Sequence, residues 1–270
     1  MSKTNIFISD LDNTLFEACT NNIREEDRAA ILKWKEAGNK FWVATGRGPD
    51  TVDMLADKGI TPDTLIFSAG GGYRIGCNPP VYRGAIANSA AAGVFDLLNN
   101  MFSDICYFLD VSGTEKRYFD GPEHLWLEHF HSSQMPPHVS AREYLVHSLD
   151  TRLMRIFCVA PSEEYLAELK EAVEDRFHGI LLCLHNDANC ADIIPASNTK
   201  WFAVQEALQK QGFVPGQCAA IGDDEADATM IMGCGIGFAM ECGAEKAKAS
   251  ADYIVPSVAD ALWRLEHQSL

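Results

Sequence analysis

Two acids, Asp10 and Asp12, follow the apolar run Ile6-Phe7-Ile8. Side chains two positions apart on a strand share a side, so both carboxylates can aim at one point. A pair of acids there can hold a metal, attack a phosphorus atom or move protons. Three further segments carry groups of matching chemistry. Thr45-Gly46-Arg47 closes a second apolar run, and a Thr hydroxyl with a Gly N–H in a strand-to-helix turn suits phosphate oxygens. In Asn198-Thr199-Lys200, Lys200 falls in the first turn of a helix. A cation there opposes the helix dipole by about 0.3–1 kcal/mol, a hint that it serves a ligand. The stretch Gly222-Asp223-Asp224-Glu225-Ala226-Asp227 packs four acids behind a short apolar strand. Helix capping explains part of that crowding. A divalent cation such as Mg2+, which takes oxygen ligands, would relieve the rest. Taken singly, each segment also has a plainer reading: a helix cap, a Thr-Gly turn, a solvated lysine.

The elements that would position these groups alternate strand and helix. The pattern predicts a strand at Ile6–Ser9, a helix near Arg24–Ala37 stopped by Gly38, and a strand at Phe41–Ala44. A helix near Pro49–Asp57, a strand at Leu65–Phe67 and a turn or hinge at Gly70-Gly71-Gly72 follow. Near the end come a helix at Lys200–Gln211 stopped by Gly212, a strand at Cys218–Ile221 and a helix near Ala226–Met232. Strands at Ile236–Ala239 and Tyr253–Val255 complete the series. Alternation of this kind implies a parallel sheet with helices on both faces. The middle, from Val81 to Cys190, differs in texture. Its apolar runs Ile105–Leu109, Met154–Val159 and Ile180–Leu184 and the amphipathic Glu163–Phe177 read as an inserted α+β unit.

Composition narrows the function classes. The chain has 270 residues, is 47% hydrophobic and carries a formal net charge of -16. That suffices for one large or two moderate cores. An acidic surface repels phosphate backbones, so nucleic acid is excluded as an expected partner. A phosphorylated substrate would be small and met by local cations or a metal. Nine scattered cysteines without a CxxC pair point to reduced core residues, with Cys106, Cys158, Cys183 and Cys218 inside apolar runs. Neither a signal peptide nor a membrane-length apolar run is expected, and the default location is cytoplasmic. No feature specifies an oligomeric state.

In order along the chain, the four segments read DxDxT, TGR, Lys and GDxxxD. This set resembles the haloacid dehalogenase-like phosphatase superfamily. The long insertion between TGR and Lys resembles the C2-type cap of the Cof-like sugar phosphatases. The resemblance implies a Rossmann-like parallel-sheet core, residues 1–80 and 191–270, with an α+β cap domain at 81–190 that closes over the substrate. It implies Asp10 as nucleophile and Asp12 as proton donor to the leaving alcohol and later proton acceptor from water. Mg2+ would be held by the Asp10 carboxylate, the Asp12 carbonyl and Asp223. Thr45, the Gly46 N–H and Lys200 would hold the transferring phosphoryl group, and Asp227 would orient metal waters or Lys200. Asp224 stands as an alternative to either acid. Arg47 has two equal readings: contact with substrate or cap, or an ion pair at a helix start. The substrate implied is a small phosphorylated metabolite, most naturally a sugar phosphate.

The chain also departs from that pattern. Ala226, Ala69 and Cys242 stand where Cof-like members have Asn. Each lost amide removes a hydrogen-bond partner worth about 0.5–1.5 kcal/mol near the phosphate site or the cap hinge. The same core also serves phosphomutases and specialised phosphatases of sugar-phosphate or phosphoglycerate conjugates. The missing amides would suit a weakly active phospho-ligand-binding protein, whereas Asp12, Asp223 and Lys200 together favour turnover. His124, His129, His131 and His138 match no zinc spacing and read as cap residues. Trp126 and Phe130 read as core. Arg152, Arg155 and His185 are candidate cap contacts to substrate.

Overall fold

A computed structural model describes residues 4–17, 20–114, 116–147, 151–187 and 189–267. The chain divides into two compact units, residues 1–83 with 198–270 and residues 84–197. The first unit begins with β1 (Ile6–Ser9), α1 (Glu25–Glu36), β2 (Lys40–Ala44), α2 (Thr51–Asp57) and β3 (Thr64–Phe67). A hairpin of β4 (Gly72–Ile75) and β5 (Val81–Tyr82) follows. The second unit holds α3 (Asn88–Met101), β6 (Cys106–Ser112), β7 (Tyr118–Asp120), α4 (Glu123–His129) and α5 (Glu143–His147). It continues through β8 (Arg152–Val159), α6 (Glu163–Arg176), β9 (Leu181–Asp187) and β10 (Cys190–Pro195). The chain then returns to the first unit with α7 (Lys200–Gln211), β11 (Cys218–Gly222), α8 (Ala228–Gly233) and β12 (Ile236–Met240). It ends with α9 (Glu245–Ala249), β13 (Tyr253–Val255) and α10 (Val258–His267).

Among the described residues, the first unit has one eight-stranded sheet in the order β13-β12-β11-β1-β2-β3-β4-β5. The six strands from β13 to β3 are parallel, and the β4–β5 hairpin adds an antiparallel edge. Alternation along β1 shows how the sequence builds two cores. Phe7 points to one face, packed with Ile31 and Trp34 of α1 and Leu262 of α10. Ile6 and Ile8 point to the other, packed with Ala203, Val204 and Ala207 of α7 and Met230 of α8. The run is apolar throughout because both faces are covered.

β1 is central, and the chain moves from it to β2 and β3 on one side and later to β11, β12 and β13 on the other. Ser9 pairs in register with both Val43 and Ile221. The carboxyl ends of β1, β2 and β11 therefore lie side by side where strand order reverses, the place where open α/β sheets bind ligands.

Among the described residues, the second unit has one five-stranded antiparallel sheet, β7-β6-β8-β10-β9. Val94, Phe95 and Leu98 of α3 and Leu166, Leu169 and Val173 of α6 pack with Leu109, Ile156 and Ile193 on one face. Leu125 and Trp126 of α4 pack with Cys106, Phe157 and Val159 on the other. The expected boundary at residue 190 falls too early. Cys190–Pro195 pairs with both β8 and β9, so the insertion extends to Ser197. The apolar run Ile193-Ile194 reads equally well as a strand of either unit, and only the pairing assigns it. No helix among the described residues is long and apolar enough to cross a membrane.

The segment after β3 holds three consecutive residues with positive φ: Ser68 (50°), Ala69 (52°) and Gly70 (97°). Gly70 is required twice over, because a Cβ there would stand 2.2 Å from the Thr199 carbonyl oxygen. Ala69 has no such reason, and a left-handed L-residue costs roughly 1–2 kcal/mol. Ala69→Gly is therefore expected to stabilise the protein by about 0.5–1 kcal/mol after the entropy lost by glycine. Chemical denaturation measures it, and a lower midpoint would show that the Ala69 methyl contributes more than the strain.

Candidate active site

Asp10 leaves β1 with its N–H donating to the Ile221 carbonyl at 2.9 Å. Its carboxylate, 5% exposed, accepts from Lys200 Nζ at 2.6 Å. The same Nζ donates to Asp227 Oδ1 at 2.6 Å. Thr199 caps α7 by accepting from the Phe202 N–H, which sets Lys200 as the first helical residue, turned inward and buried. Asp227 Oδ2 accepts from the N–H groups of Asp223 and Asp224 at 3.2 and 3.1 Å. A Cβ on Gly222 would sit 2.5 Å from the Asp227 carboxyl carbon, so glycine lets the buried acid close under the loop. Thr14 Oγ1 donates to Asp223 Oδ1 at 2.7 Å and fixes the third acid.

Carboxylate oxygens of Asp10, Asp223 and Asp227 come within 4.8 Å of one another. Burial first, then the Asp227 charge, push the Asp10 carboxyl well above the usual range, against the pull of Lys200. Burial and Asp227 likewise push Asp223 up to about 7, with the Thr14 hydrogen bond opposing. Burial alone would depress Lys200, yet Asp10 and Asp227 outweigh it and hold it above the ordinary lysine value. Three acids thus face one ammonium in a partly dehydrated space. That oxygen-only, charge-deficient donor set fits a hard divalent cation.

Asp12 does not join this cluster. The chain has already left the strand at Asp10, and Leu11–Leu15 form a wide turn closed by the Phe16 N–H on the Leu11 carbonyl. Asn13 takes φ 57°, a conformation that Asn tolerates. The two-residue alternation therefore does not carry past Ser9. Asp12 is half-exposed and paired with Arg47, whose Nε and Nη2 reach its two oxygens at 3.0 and 2.5 Å.

Thr45 is fully buried at the end of β2, its hydroxyl accepting from the Arg47 N–H at 3.0 Å. Its carbonyl accepts from Ala69 N–H at 3.1 Å, and the Arg47 carbonyl accepts from Ser68 N–H at 2.8 Å. The Thr45-Gly46-Arg47 turn is thus held by the left-handed segment after β3. Asp224 is turned to capping, accepting from the Glu225 N–H. Cys242 is exposed, two residues before the Ala244 N–H that donates to the Asp223 carbonyl at 2.6 Å.

Other sequence candidates have structural partners in the second unit. Arg155 Nη1 lies 2.7 Å from Asp192 and its Nε 3.4 Å from Asp110, so it is committed within the sheet. Trp126 and Phe130 meet at a tilt of 39° with ring centroids 4.8 Å apart, and Phe130 is exposed where the sequence reads it as core. The His129 Nδ1 lies 3.3 Å from Cys190 Sγ, and His138 meets the edge of Phe119. The Thr14–Asp223 bond has no sequence signal although Thr14 closes the DxDxT segment, because a hydroxyl there names no partner.

The fold and the sequence together place the chain in a class of hydrolases. Residues 7–261 match the model of the haloacid dehalogenase-like hydrolases, and the chain belongs to that family. Its fold is shared with a haloacid dehalogenase-like hydrolase from B. subtilis, 18% identical over 97% of this chain and 99% of that one, TM-score 0.82. A phosphatase of the same superfamily from Bacteroides thetaiotaomicron is 19% identical over 98% and 95%, TM-score 0.81. A sugar phosphatase of subclass IIB is 20% identical over 98% of both chains, TM-score 0.78. Among curated proteins, the chain is similar to the chloroplastic endoribonuclease YBEY of Arabidopsis thaliana, 24% identical over 97% of this chain. The chain spans about half the length of that relative, 46%.

Proposed function

We propose that this chain is a Mg2+-dependent phosphatase that hydrolyses a small phosphorylated metabolite, a sugar phosphate by class, with Asp10 as nucleophile. The observation that carries the reading is the Lys200 ammonium shared by Asp10 and Asp227 beside Asp223, at the strand ends where sheet order reverses. The Asp10 and Asp223 carboxylates, with the Asp12 backbone carbonyl, would hold Mg2+, which supplies charge neutralisation between an anionic nucleophile and an anionic phosphate.

The Asp10 carboxylate attacks phosphorus in line as the bond to the leaving oxygen breaks, giving an aspartyl-phosphate. Asp12 gives a proton to that oxygen, so an alcohol departs. Water then attacks the phosphorus, Asp12 takes its proton, and Asp10 is released with inorganic phosphate. Lys200, Thr45 and the Gly46 N–H hold the phosphoryl oxygens. Asp227, bound to Lys200 and to two loop N–H groups, keeps ammonium and loop in place. The inserted 84–197 unit takes the part of the cap and selects the leaving group.

Phosphate release from p-nitrophenyl phosphate and a panel of sugar phosphates, with Mg2+ and with EDTA, tests this. Release that needs Mg2+ is expected; no release from any of them would overturn the reading. Thr14→Val should weaken the apparent Mg2+ affinity by about 10-fold, because the ligand acid loses its hydrogen bond. At saturating Mg2+ its kcat should stay within about threefold of the parent, read from Mg2+ titrations of activity. An unchanged Mg2+ midpoint would detach Thr14 from the metal site.

A further inference from the structure

Arg47 stands next to Gly46, and its guanidinium is seated on Asp12. Nε donates to Asp12 Oδ2 at 3.0 Å and Nη2 to Asp12 Oδ1 at 2.5 Å, a two-pronged pair that fixes the carboxylate plane. Nη2 also donates to Asn21 Oδ1 at 2.8 Å. The guanidinium carbon lies 5.3 Å above the centre of the Phe16 ring, and Nη1 is 3.4 Å from Met54 Sδ. Those contacts come from two segments of one unit, the β1–α1 connection and α2, and restrain the guanidinium from both sides. An exposed ion pair alone contributes little, but this one is stacked, bidentate and shared with a third partner. Its backbone is equally tied: the Arg47 N–H donates to Thr45 Oγ1, and its carbonyl accepts from Ser68 N–H.

We propose that Arg47 is the positioning residue of Asp12. It locks the acid to the Thr45–Gly46 turn, so the proton-transfer carboxylate and the phosphate-holding turn keep one fixed spacing. This rests on the phosphatase reading and on Asp12 as its proton carrier. Lysine offers a point charge and cannot reproduce the two-pronged geometry, so Arg47→Lys isolates the positioning effect from the charge.

Proton transfer matters according to the leaving group. A nitrophenolate departs readily without a proton, whereas an alkoxide does not. Arg47→Lys is therefore expected to lower kcat on glycerol 2-phosphate by about 30-fold. The pre-steady-state burst of nitrophenol from p-nitrophenyl phosphate should fall by less than about threefold, and KM for both should stay within about threefold. In an Asp12→Asn background, adding Arg47→Lys should cost less than about twofold more, because its target is gone. Asn21→Ala, which retains Arg47, should show the same leaving-group dependence with a smaller loss.

An equal loss on both probes, a raised KM with unchanged kcat, or a full additional loss in the Asp12→Asn background would overturn the inference. The second of these outcomes would make Arg47 a substrate contact. Wild-type protein inert toward both probes would remove the phosphatase reading, and the inference with it. Wild-type turnover with a uniform loss in Arg47→Lys would remove the inference alone.

Discussion

Asp10→Asn is expected to lower turnover by about four orders of magnitude or more, because an amide is a poor nucleophile toward phosphorus. The same substitution should leave the metal-free protein at least as stable as the parent at pH 8. Asp10 is buried, and burial together with Asp227 holds its carboxyl well above the usual range. The folded state therefore binds that proton more tightly than the unfolded chain does. For such a group stability falls as pH rises from the unfolded pKa toward the folded one. At pH 8 the metal-free parent bears this penalty, and Asn does not. Lys200 still keeps Asp227 at 2.6 Å in the variant, so no ammonium is stranded. Thermal unfolding in EDTA should show the variant level with the parent or a few degrees higher at pH 8. The difference should shrink at pH 5. Mg2+ should raise the midpoint of the parent more than that of the variant, in which the proposed ligand has lost its charge. A variant several degrees less stable at pH 8, or one with more than about 1% of parental activity, would contradict the assignment of Asp10.

Much of this molecule was legible in the residues. Gly212 ends α7 in the left-handed conformation at φ 75°, where the sequence places its stop. The apolar runs before Asp10 and Asp223 are the adjacent strands β1 and β11, and the four motif segments lie in one unit. Strands buried on both faces announce themselves as continuous apolar runs, and helix stops as single glycines. Long-range pairing has no such local signal. The glycine run masks the β4–β5 hairpin, and the sequence assigns β10 to the wrong unit because its apolar residues fit either sheet. The site shows the same limit at the scale of one side chain. Spacing suggested that Asp10 and Asp12 share a target, but the turn at Leu11–Leu15 sends them to different cations. Arg47 had two readings from sequence. Its bidentate contact with Asp12, 35 residues away, is a long-range pairing that neither reading contains.

Lys200→Met should produce the largest combined loss. On the proposed mechanism, removing the ammonium that would hold the phosphoryl group is expected to lower kcat by about 10²–10³-fold. Metal-free stability at pH 8 should fall by about 3–5 kcal/mol, since Asp10 and Asp227 are then left buried without their shared partner. The pH dependence identifies the cause. Lys200 is held above the ordinary lysine value, so its stabilising contribution is complete below the unfolded lysine pKa of about 10.4. It is lost only as pH rises through the higher folded value, and so it is constant between pH 5 and pH 9. Any change of the deficit within that window must come from the acids. Asp10 is already raised, and Asp223 already titrates at about 7 with Lys200 present. Without the ammonium these acids hold protons more tightly still, so more of them are neutral at pH 5. The deficit of Lys200→Met should therefore be large at pH 8 and much smaller at pH 5, measured by denaturant titration in EDTA. Combining it with Asp10→Asn should recover stability at pH 8, because the double variant has one buried charge fewer to leave unpaired. A deficit independent of pH, or a double variant weaker than Lys200→Met alone, would mean that Lys200 stabilises this site by packing its stem and not by balancing Asp10 and Asp227.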